Sequence, residues 1–223
     1  MKREIIITTD GSHSISVPDL NVAYHSIHGA VRESLHVFIN AGLIESRLFD
    51  YTGVHKILEV GFGTGLNALL TLIEADKHKN RIYYTGIELD PLTEEEIHQL
   101  NYCEHLNMPE YQSLFEKMHT SGWEEMFEIS DYLRLTKIKC NLLDYSSEEQ
   151  VSLIYYDAFA PNAQPELWTK EVFEKMYSIL QPGGILVTYC SKGDVRRAMI
   201  AAGFKVEKLP GPPRKREMLR ARK

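Results

Sequence analysis

The chain has 223 residues, 43% of them hydrophobic and 25% charged, with a net charge of −6 at neutral pH. That length suits one well-cored domain, and the composition excludes the disordered and fibrous classes. The acidic balance argues against a protein that coats nucleic acid indiscriminately, and the longest apolar runs, residues 5–7 and 69–73, fall far short of the roughly 20 residues of a membrane span. No signal-type apolar region follows Met1-Lys2-Arg3-Glu4, so a cytoplasmic protein is expected. Cys103, Cys140 and Cys190 form an odd set without a CxxC pair, which argues against a disulfide framework or a cysteine zinc site. The nine histidines contain no HExxH spacing, and no metal is expected.

In chain order, residues 4–17 predict a hairpin, because β-branched residues flank the turn-forming Asp10-Gly11-Ser12. The stretch "AYHSIHGAVRESLHVFINAGL" sets Val31, Leu35, Phe38 and Ile39 at helical spacing, with Gly42 as the C-terminal stop. The rhythm then changes. "KILEV", "RIYYTGIEL", "LRLTKIKC", "VSLIYYD" and "GILVTYC" are short apolar runs separated by helical segments at 66–75, 94–101, 110–118 and 166–180. Strands alternating with helices imply parallel βαβ units around a buried sheet. Asp194 is expected to cap "VRRAMIAA" and Gly203 to end it, after which "FKVEKL", "PGPP" and "REMLRA" read as strand, turn and strand. The expected fold is α/β and Rossmann-like: a mostly parallel seven-stranded sheet closed by an antiparallel C-terminal hairpin. Residues 1–50 are expected to form a hairpin-and-helix extension packed on a core of residues 51–223, effectively one domain.

"KILEVGFGTGLNALLTL" places Gly61, Gly63 and Gly65 between a buried strand and an amphipathic helix. Glycine there lets the backbone approach a ligand, and the helix start offers free N–H groups. Two frames suit the spacing. One is an acid followed by GxGxG, which begins where the strand ends and gives Glu59 a hydrogen-bonding role; the other is GxGxxA over Gly63, Gly65 and Ala68, the dinucleotide fingerprint. In either frame Glu88, at the end of the next strand, is placed to accept from ribose hydroxyls.

A second constellation lies in "IYYDAFAPNAQPELW", where a strand runs straight into Asp157, Phe159 and Pro161. Asp-Ala-Phe-Ala-Pro resembles the (Asp/Asn)-Pro-Pro-(Tyr/Phe) loop of amino-group methyltransferases. Methyl transfer from a sulfonium to an amine needs an unprotonated lone pair aligned with the methyl group. A carboxylate such as Asp157 can orient the amine and stabilise its growing charge, and an aromatic face such as Phe159 attracts the methylated nitrogen.

With "YHSIHGAVRESLHVFINAGL", "GGILVTYCSKGDVRRAMIAAGF" and the closing "GPPRKREML" added to these two motifs, the chain resembles the methyltransferase half of MnmC, the tRNA 5-methylaminomethyl-2-thiouridine biosynthesis family, in a stand-alone form. The resemblance covers residues 24–222 and implies a class I fold that moves a methyl group from S-adenosylmethionine to the primary amine of 5-aminomethyluridine at the tRNA wobble position. It also implies a cofactor site of Tyr24, Glu59, Gly61, Gly63, Gly65, Asn67, Glu88, Asn141, Leu142 and Asp157, with Asp157 and Phe159 catalytic. The family's glycine-acid pair after the third strand is here Cys140-Asn141, so adenine would meet an uncharged amide. The flavin-dependent oxidase half of the bifunctional protein is not found in this sequence, so the acceptor is expected to arrive already as the aminomethyl form, from enzymes that install it.

Residues 205–223 carry eight basic side chains against Glu207 and Glu217, an edge suited to an anionic partner or to plain solvation. Under the resemblance, Arg214, Lys215 and Arg216 would hold phosphates of a tRNA anticodon loop, with Pro161, Pro165 and Trp168 shaping the rim of the pocket, although Trp168, at the start of a helix, suits the core equally. Other readings stay open at this point: a methyltransferase for another amine, a nicotinamide-dependent reductase using the shifted glycine frame, and a non-catalytic RNA-binding module of the same fold.

Overall fold

The computed structural model describes residues 2–223. Strands β1 (Glu4–Ile7) and β2 (His13–Val17) pair antiparallel around the Asp10-Gly11 turn, and β3 (Val22–Ala23) adds a third strand to this small sheet. Helix α1 (Ala30–Ser34) runs directly into a π-helical segment, Leu35–Ile44. The helix therefore starts later than the sequence suggests, and Gly42 lies within it instead of ending it. Packing explains this. A Cβ on Gly42 would stand 2.9 Å from Val187 Cγ2 and 3.3 Å from Tyr155 Cε1, so glycine allows the segment to lie flat against the main sheet.

Strands and helices then alternate: β4 (Val54–Val60), α2 (Leu66–His78), β5 (Arg81–Glu88), α3 (Glu94–His98), α4 (Tyr102–His105), α5 (Gln112–Thr120), β6 (Met126–Glu128), β7 (Leu133–Lys139), β8 (Val151–Tyr156), α6 (Lys170–Ile179), β9 (Leu180–Thr188), α7 (Gly193–Ala201), β10 (Lys205–Pro210) and β11 (Glu217–Arg222). The main sheet has the order β10-β11-β9-β8-β4-β5-β7-β6. Its five central strands are parallel, and β11 inserts antiparallel between β9 and β10. All seven expected strands are present. The eighth, β6, is a three-residue antiparallel edge on β7, too short to leave a period in the sequence.

Helical boundaries also differ, α2 running on to His78 and α3 ending at His98. The helix expected over 166–180 is α6 alone: Pro165–Trp168 forms a 3-10 turn, Thr169 caps α6, and Leu180 already opens β9. Asp194 sits in the first turn of α7, with Lys192 at the cap position, and its carboxylate pairs with Arg197.

Strand alternation divides the core between the two faces of the sheet. Ile57, Leu153, Tyr155, Ile185 and Val187 pack with Phe38 of the π-helical segment and with Leu69 and Leu72 of α2. Leu58, Ile154, Tyr156 and Leu186 pack with Phe173 and Met176 of α6 and Met199 of α7. The N-terminal sheet is tied to the end of β5 by Arg3, whose side chain is 5% exposed and pairs with Asp90 at 2.6 Å and Glu96 at 3.1 Å. No helix among the described residues is long and apolar enough to cross a membrane.

Candidate active site

Strand β4 lies at the point where the sheet order reverses, with β5 on one side and β8 on the other. Ligands of open parallel sheets bind at such a point, beyond the carboxyl ends of the strands. The ends here are level: Val60 pairs with Ile87 and with Tyr156, and the Asp157 N–H donates to the Val60 carbonyl at 2.9 Å. Above them opens a cleft of about 810 Å³, walled by Tyr24 and His25 from the N-terminal segment, residues 60–64, Glu88, residues 140–142 and residues 157–159.

The glycine loop is bent by its contacts. Gly61 and Phe62 both donate to the Ile87 carbonyl, at 3.0 and 2.9 Å. Gly61 has φ +86°, and a Cβ on it would lie 2.7 Å from the Asp157 carbonyl oxygen; one on Gly63, φ +51°, would lie 3.0 Å from the Tyr24 ring. Gly65 differs. It caps α2 but faces inward, where a Cβ would lie 2.8 Å from His119 Nε2, so it does not line the cleft. His119 Nε2–H donates to the Thr64 carbonyl at 3.1 Å, and burial holds this ring neutral down to about 4.

Two carboxyl groups share one amide beneath the loop. Asn67 Nδ2 donates to Glu59 Oε1 and to Asp157 Oδ2, both at 2.9 Å. Glu59 is 1% exposed, its Oε2 has no partner among the described residues, and burial pushes its carboxyl up to about 8. Asp157 is half-buried at the wall of the cleft. Desolvation, and then the charges of Glu59 and Glu33, push it well above the usual carboxylate range, against the opposing pull of the Asn67 hydrogen bond and Lys215. The arrangement can hold a proton between two acids or accept hydrogen bonds from a cationic or amine ligand.

Glu88 Oε2 accepts from the Gly63 N–H and Oε1 from the Asp90 N–H, both at 2.9 Å. Asn141 and Leu142 line the cleft beyond it; Asn141 Oδ1 accepts from the Leu143 N–H at 2.9 Å, which leaves that oxygen one lone pair for a ligand. Phe159 meets Tyr24 edge to face. Its own carbonyl accepts from Trp168 Nε1–H at 2.8 Å, and the neighbouring Ala158 carbonyl accepts from the Tyr189 hydroxyl at 2.8 Å. Trp168 is 5% exposed, packed against Tyr156, so it braces the loop from below instead of forming its rim. Tyr189 was not anticipated; its position just past the end of β9 was the available signal.

The basic edge is smaller than its composition suggests. Lys208 pairs with Glu217, Arg220 with Glu207, and Arg222 with Glu45 and Glu207. Lys215 pairs with Glu33 and lies over the Tyr189 ring. Only Arg214 and Arg216 of the three residues expected to meet phosphate are exposed, and neither has an ion pair or hydrogen-bonded side-chain partner among the described residues.

A glycine loop at the switch point, an acid ending the second parallel strand and an Asp-Ala-Phe loop ending the fourth define a class I methyltransferase. Residues 109–223 match a family described as S-adenosyl-L-methionine-dependent methyltransferase, and the chain belongs to this family, in its MnmC type. It is 34% identical over 211 residues to the tRNA 5-methylaminomethyl-2-thiouridine biosynthesis bifunctional protein MnmC of Leptospira interrogans, covering 88% of this chain and 32% of that protein. The protein of the same name from Paraburkholderia xenovorans is 28% identical, covering 88% of this chain and 31% of that one. The chain thus spans about a third of the length of these curated relatives. The crystal structure of MNMC2 from Aquifex aeolicus has a TM-score of 0.77 and 26% identity, covering 99% of this chain and 70% of that chain. Spermidine synthase from Thermotoga maritima, at TM-score 0.56 and 12% identity, covering 99% and 68%, shares the fold.

The cofactor is S-adenosylmethionine. The cleft suits it: Gly61 and Gly63 leave no room for side chains on the loop, and Glu59 Oε2 and Asn67 Oδ1 are buried polar atoms without partners among the described residues. The close approach of Gly61 to Asp157 also accounts for the first glycine, which the shifted nicotinamide frame leaves without a purpose.

Proposed function

We propose that this chain methylates the primary amine of 5-aminomethyluridine, or its 2-thio form, at the wobble position of tRNA. The observation that carries the reading is Asp157, an acid at the wall of the cleft, coupled through Asn67 to Glu59 and followed by the aromatic Phe159. The names of the MnmC relatives support the choice of tRNA.

S-adenosylmethionine, when bound, supplies a methyl group made electrophilic by its sulfonium. Glu88 would hold ribose hydroxyls, Asn141 and Leu142 the adenine, and the Glu59–Asn67–Asp157 cluster the ammonium of the methionine part. Asp157 also faces the acceptor: its carboxylate accepts an N–H from the amine, holds the lone pair toward the methyl group and stabilises the positive charge that grows on nitrogen. Phe159 and Tyr24 give that nitrogen an aromatic wall. Arg214 and Arg216 contact phosphates of the anticodon loop, whose flipped uridine reaches past Pro161 and Pro165. Reactions that install the aminomethyl group supply the substrate.

The test is to incubate purified protein with S-adenosylmethionine and tRNA carrying 5-aminomethyluridine, then analyse nucleosides by mass spectrometry. Conversion to the methylaminomethyl nucleoside is expected. Cofactor turnover that needs a protein or small amine in place of tRNA would overturn the substrate, and no turnover on any amine would leave a non-catalytic module.

A further inference from the structure

Lys215 stands between Arg214 and Arg216 in sequence but apart from them in the fold. Its ammonium meets the carboxylate of Glu33, a residue 5% exposed, in an ion pair that joins the turn between β10 and β11 to α1. The same ammonium lies 4.5 Å from the centre of the Tyr189 ring. Tyr189 donates its hydroxyl hydrogen to the carbonyl of Ala158, the residue between Asp157 and Phe159. The other Glu33 oxygen accepts from the Ser26 N–H at 2.7 Å, two residues from the Tyr24 that packs on Phe159. One polar chain thus runs from both ends of the polypeptide to the loop that would do the chemistry.

A staple alone needs no charges, because apolar side chains of similar volume hold buried surfaces at least as well as a buried ion pair. The charges add a field. Around Asp157 stand Glu59 from β4, Tyr84 from β5, Asn67 from α2, Glu33 from α1, Tyr189 after β9 and Lys215 from the hairpin turn. Glu59 and Glu33 oppose ionisation of Asp157, while Lys215 and Asn67 favour it. Lys215 also faces Cys190 and His25, and burial keeps that histidine neutral down to about 4, so it adds no second cation near neutral pH.

We propose that Lys215 is a positioning residue for methyl transfer and not a phosphate contact: it seats Tyr189 on the Ala158 carbonyl, which fixes Asp157 and Phe159, and with Glu33 it balances the charge beside the Asp157 carboxylate. This rests on the function proposed above. A half-buried acid next to a second acid tends to keep its proton and could then no longer accept from the amine. The Lys215 cation favours the accepting form of Asp157, and the Glu33 carboxylate paired with it opposes that form.

The experiment measures kcat, KM for aminomethyl-bearing tRNA, its salt dependence, and kcat/KM against pH, for the wild-type chain and for K215M, K215R, E33Q and Y189F. K215M is expected to lower kcat about tenfold to a hundredfold, the scale of a misplaced reacting group, with KM and its salt dependence near wild type. Its acid-side break should move to higher pH by roughly one unit, since a cation no longer favours the carboxylate. E33Q should move the break to lower pH, K215R should restore most of kcat, and Y189F should lower kcat while leaving the break in place. A K215M variant with unchanged kcat, a raised KM and a flattened salt dependence would make Lys215 a phosphate contact and overturn the proposal. Breaks that move in the same direction in K215M and E33Q, or do not move, would overturn it too. If K215M does not fold, as read by cofactor calorimetry, the paired results from K215R and E33Q decide. A wild-type chain that leaves the amine unmethylated refutes the function itself, whereas with an active wild type the variants bear on the role of Lys215 alone.

Discussion

Tyr24 meets Phe159 edge to face, with ring centroids 5.0 Å apart and planes at 87°. The same tyrosine ring packs against Gly63, so one side chain from the N-terminal segment touches both the glycine loop and the loop of Asp157 and Phe159. Tyr24→Leu should therefore weaken cofactor binding and slow turnover together. Phe159→Leu, which keeps apolar volume but loses the aromatic face, should slow turnover about ten- to thirtyfold. An edge-to-face pair contributes about 1 kcal/mol, so the double variant should be about fivefold more active than the product of the two single effects predicts. Effects on kcat/KM that simply multiply would mean that the rings act independently.

Asp157→Ala should leave the fold intact and lower kcat by at least about a hundredfold, the scale lost when a positioned transition-state partner is removed. Single-turnover methylation of tRNA measures it. A native rate in this variant would reduce the carboxylate to a turn residue.

Gly61→Ala should abolish the fit of the loop, because the new Cβ would sit 2.7 Å from the Asp157 carbonyl oxygen at φ +86°. Strain of this kind costs about 1–3 kcal/mol, and calorimetry should show cofactor affinity down at least about tenfold. Gly65→Ala should behave differently: its Cβ meets His119 inside the fold, so thermal stability should fall while the cofactor affinity of the folded fraction changes less. Equal losses of affinity in both variants would return Gly65 to the cofactor site.

Buried titratable groups set a pH dependence of stability whose sign can be worked out. An ordinary glutamate ionises near about 4.3, whereas Glu59 in the fold is pushed up to about 8. Between those values the native chain keeps a proton that the unfolded chain has lost, so stability falls as pH rises through the window. Asp157 is shifted in the same direction. His25 and His119, neutral in the fold down to about 4, act oppositely and lose stability as pH falls below their usual value of about 6.5. Between pH ~6.5 and ~8 the carboxyl groups dominate, and Glu59 alone should contribute a decline of up to about 2 kcal/mol in denaturant unfolding. Glu59→Gln should flatten that decline; an unchanged slope would mean that Glu59 is ionised in the fold.

Arg214→Ala with Arg216→Ala should weaken tRNA binding and reduce its logarithmic salt slope by about 1.4, the value for two single-strand phosphate contacts. Cofactor affinity should stay at the wild-type level, since neither side chain lines the cleft. Filter binding over a salt series distinguishes this from a solvated turn, for which the slope would not change.

Much of the fold and part of the site were legible in the sequence because they are local. Short, nearly continuous apolar runs in "KILEV" and "VSLIYY" specify strands buried on both faces, three glycines before Leu66 specify a loop that only glycine backbone can follow, and Asp157 falls at a strand end whatever the strand packs against. The sequence by itself determined the strand-helix alternation of a parallel sheet, the glycine loop after β4, and the placing of Glu88 and Asp157 at strand ends; the strand order that sets β4 at the switch point came from the fold. Other features depended on contacts between distant segments. Gly42 looks like a helix stop and is a packing surface for Val187; Gly65 looks like a cofactor glycine and makes room for His119. Asn67 joins Glu59 to Asp157, 90 residues further on, and Lys215 finds Glu33 across 182 residues. Whether a cation meets phosphate or a buried carboxylate depends on which acid the fold brings beside it. The local sequence around Lys215 shows three similar basic residues, and only the docking of α1 against the last hairpin turns one of them onto a buried carboxylate.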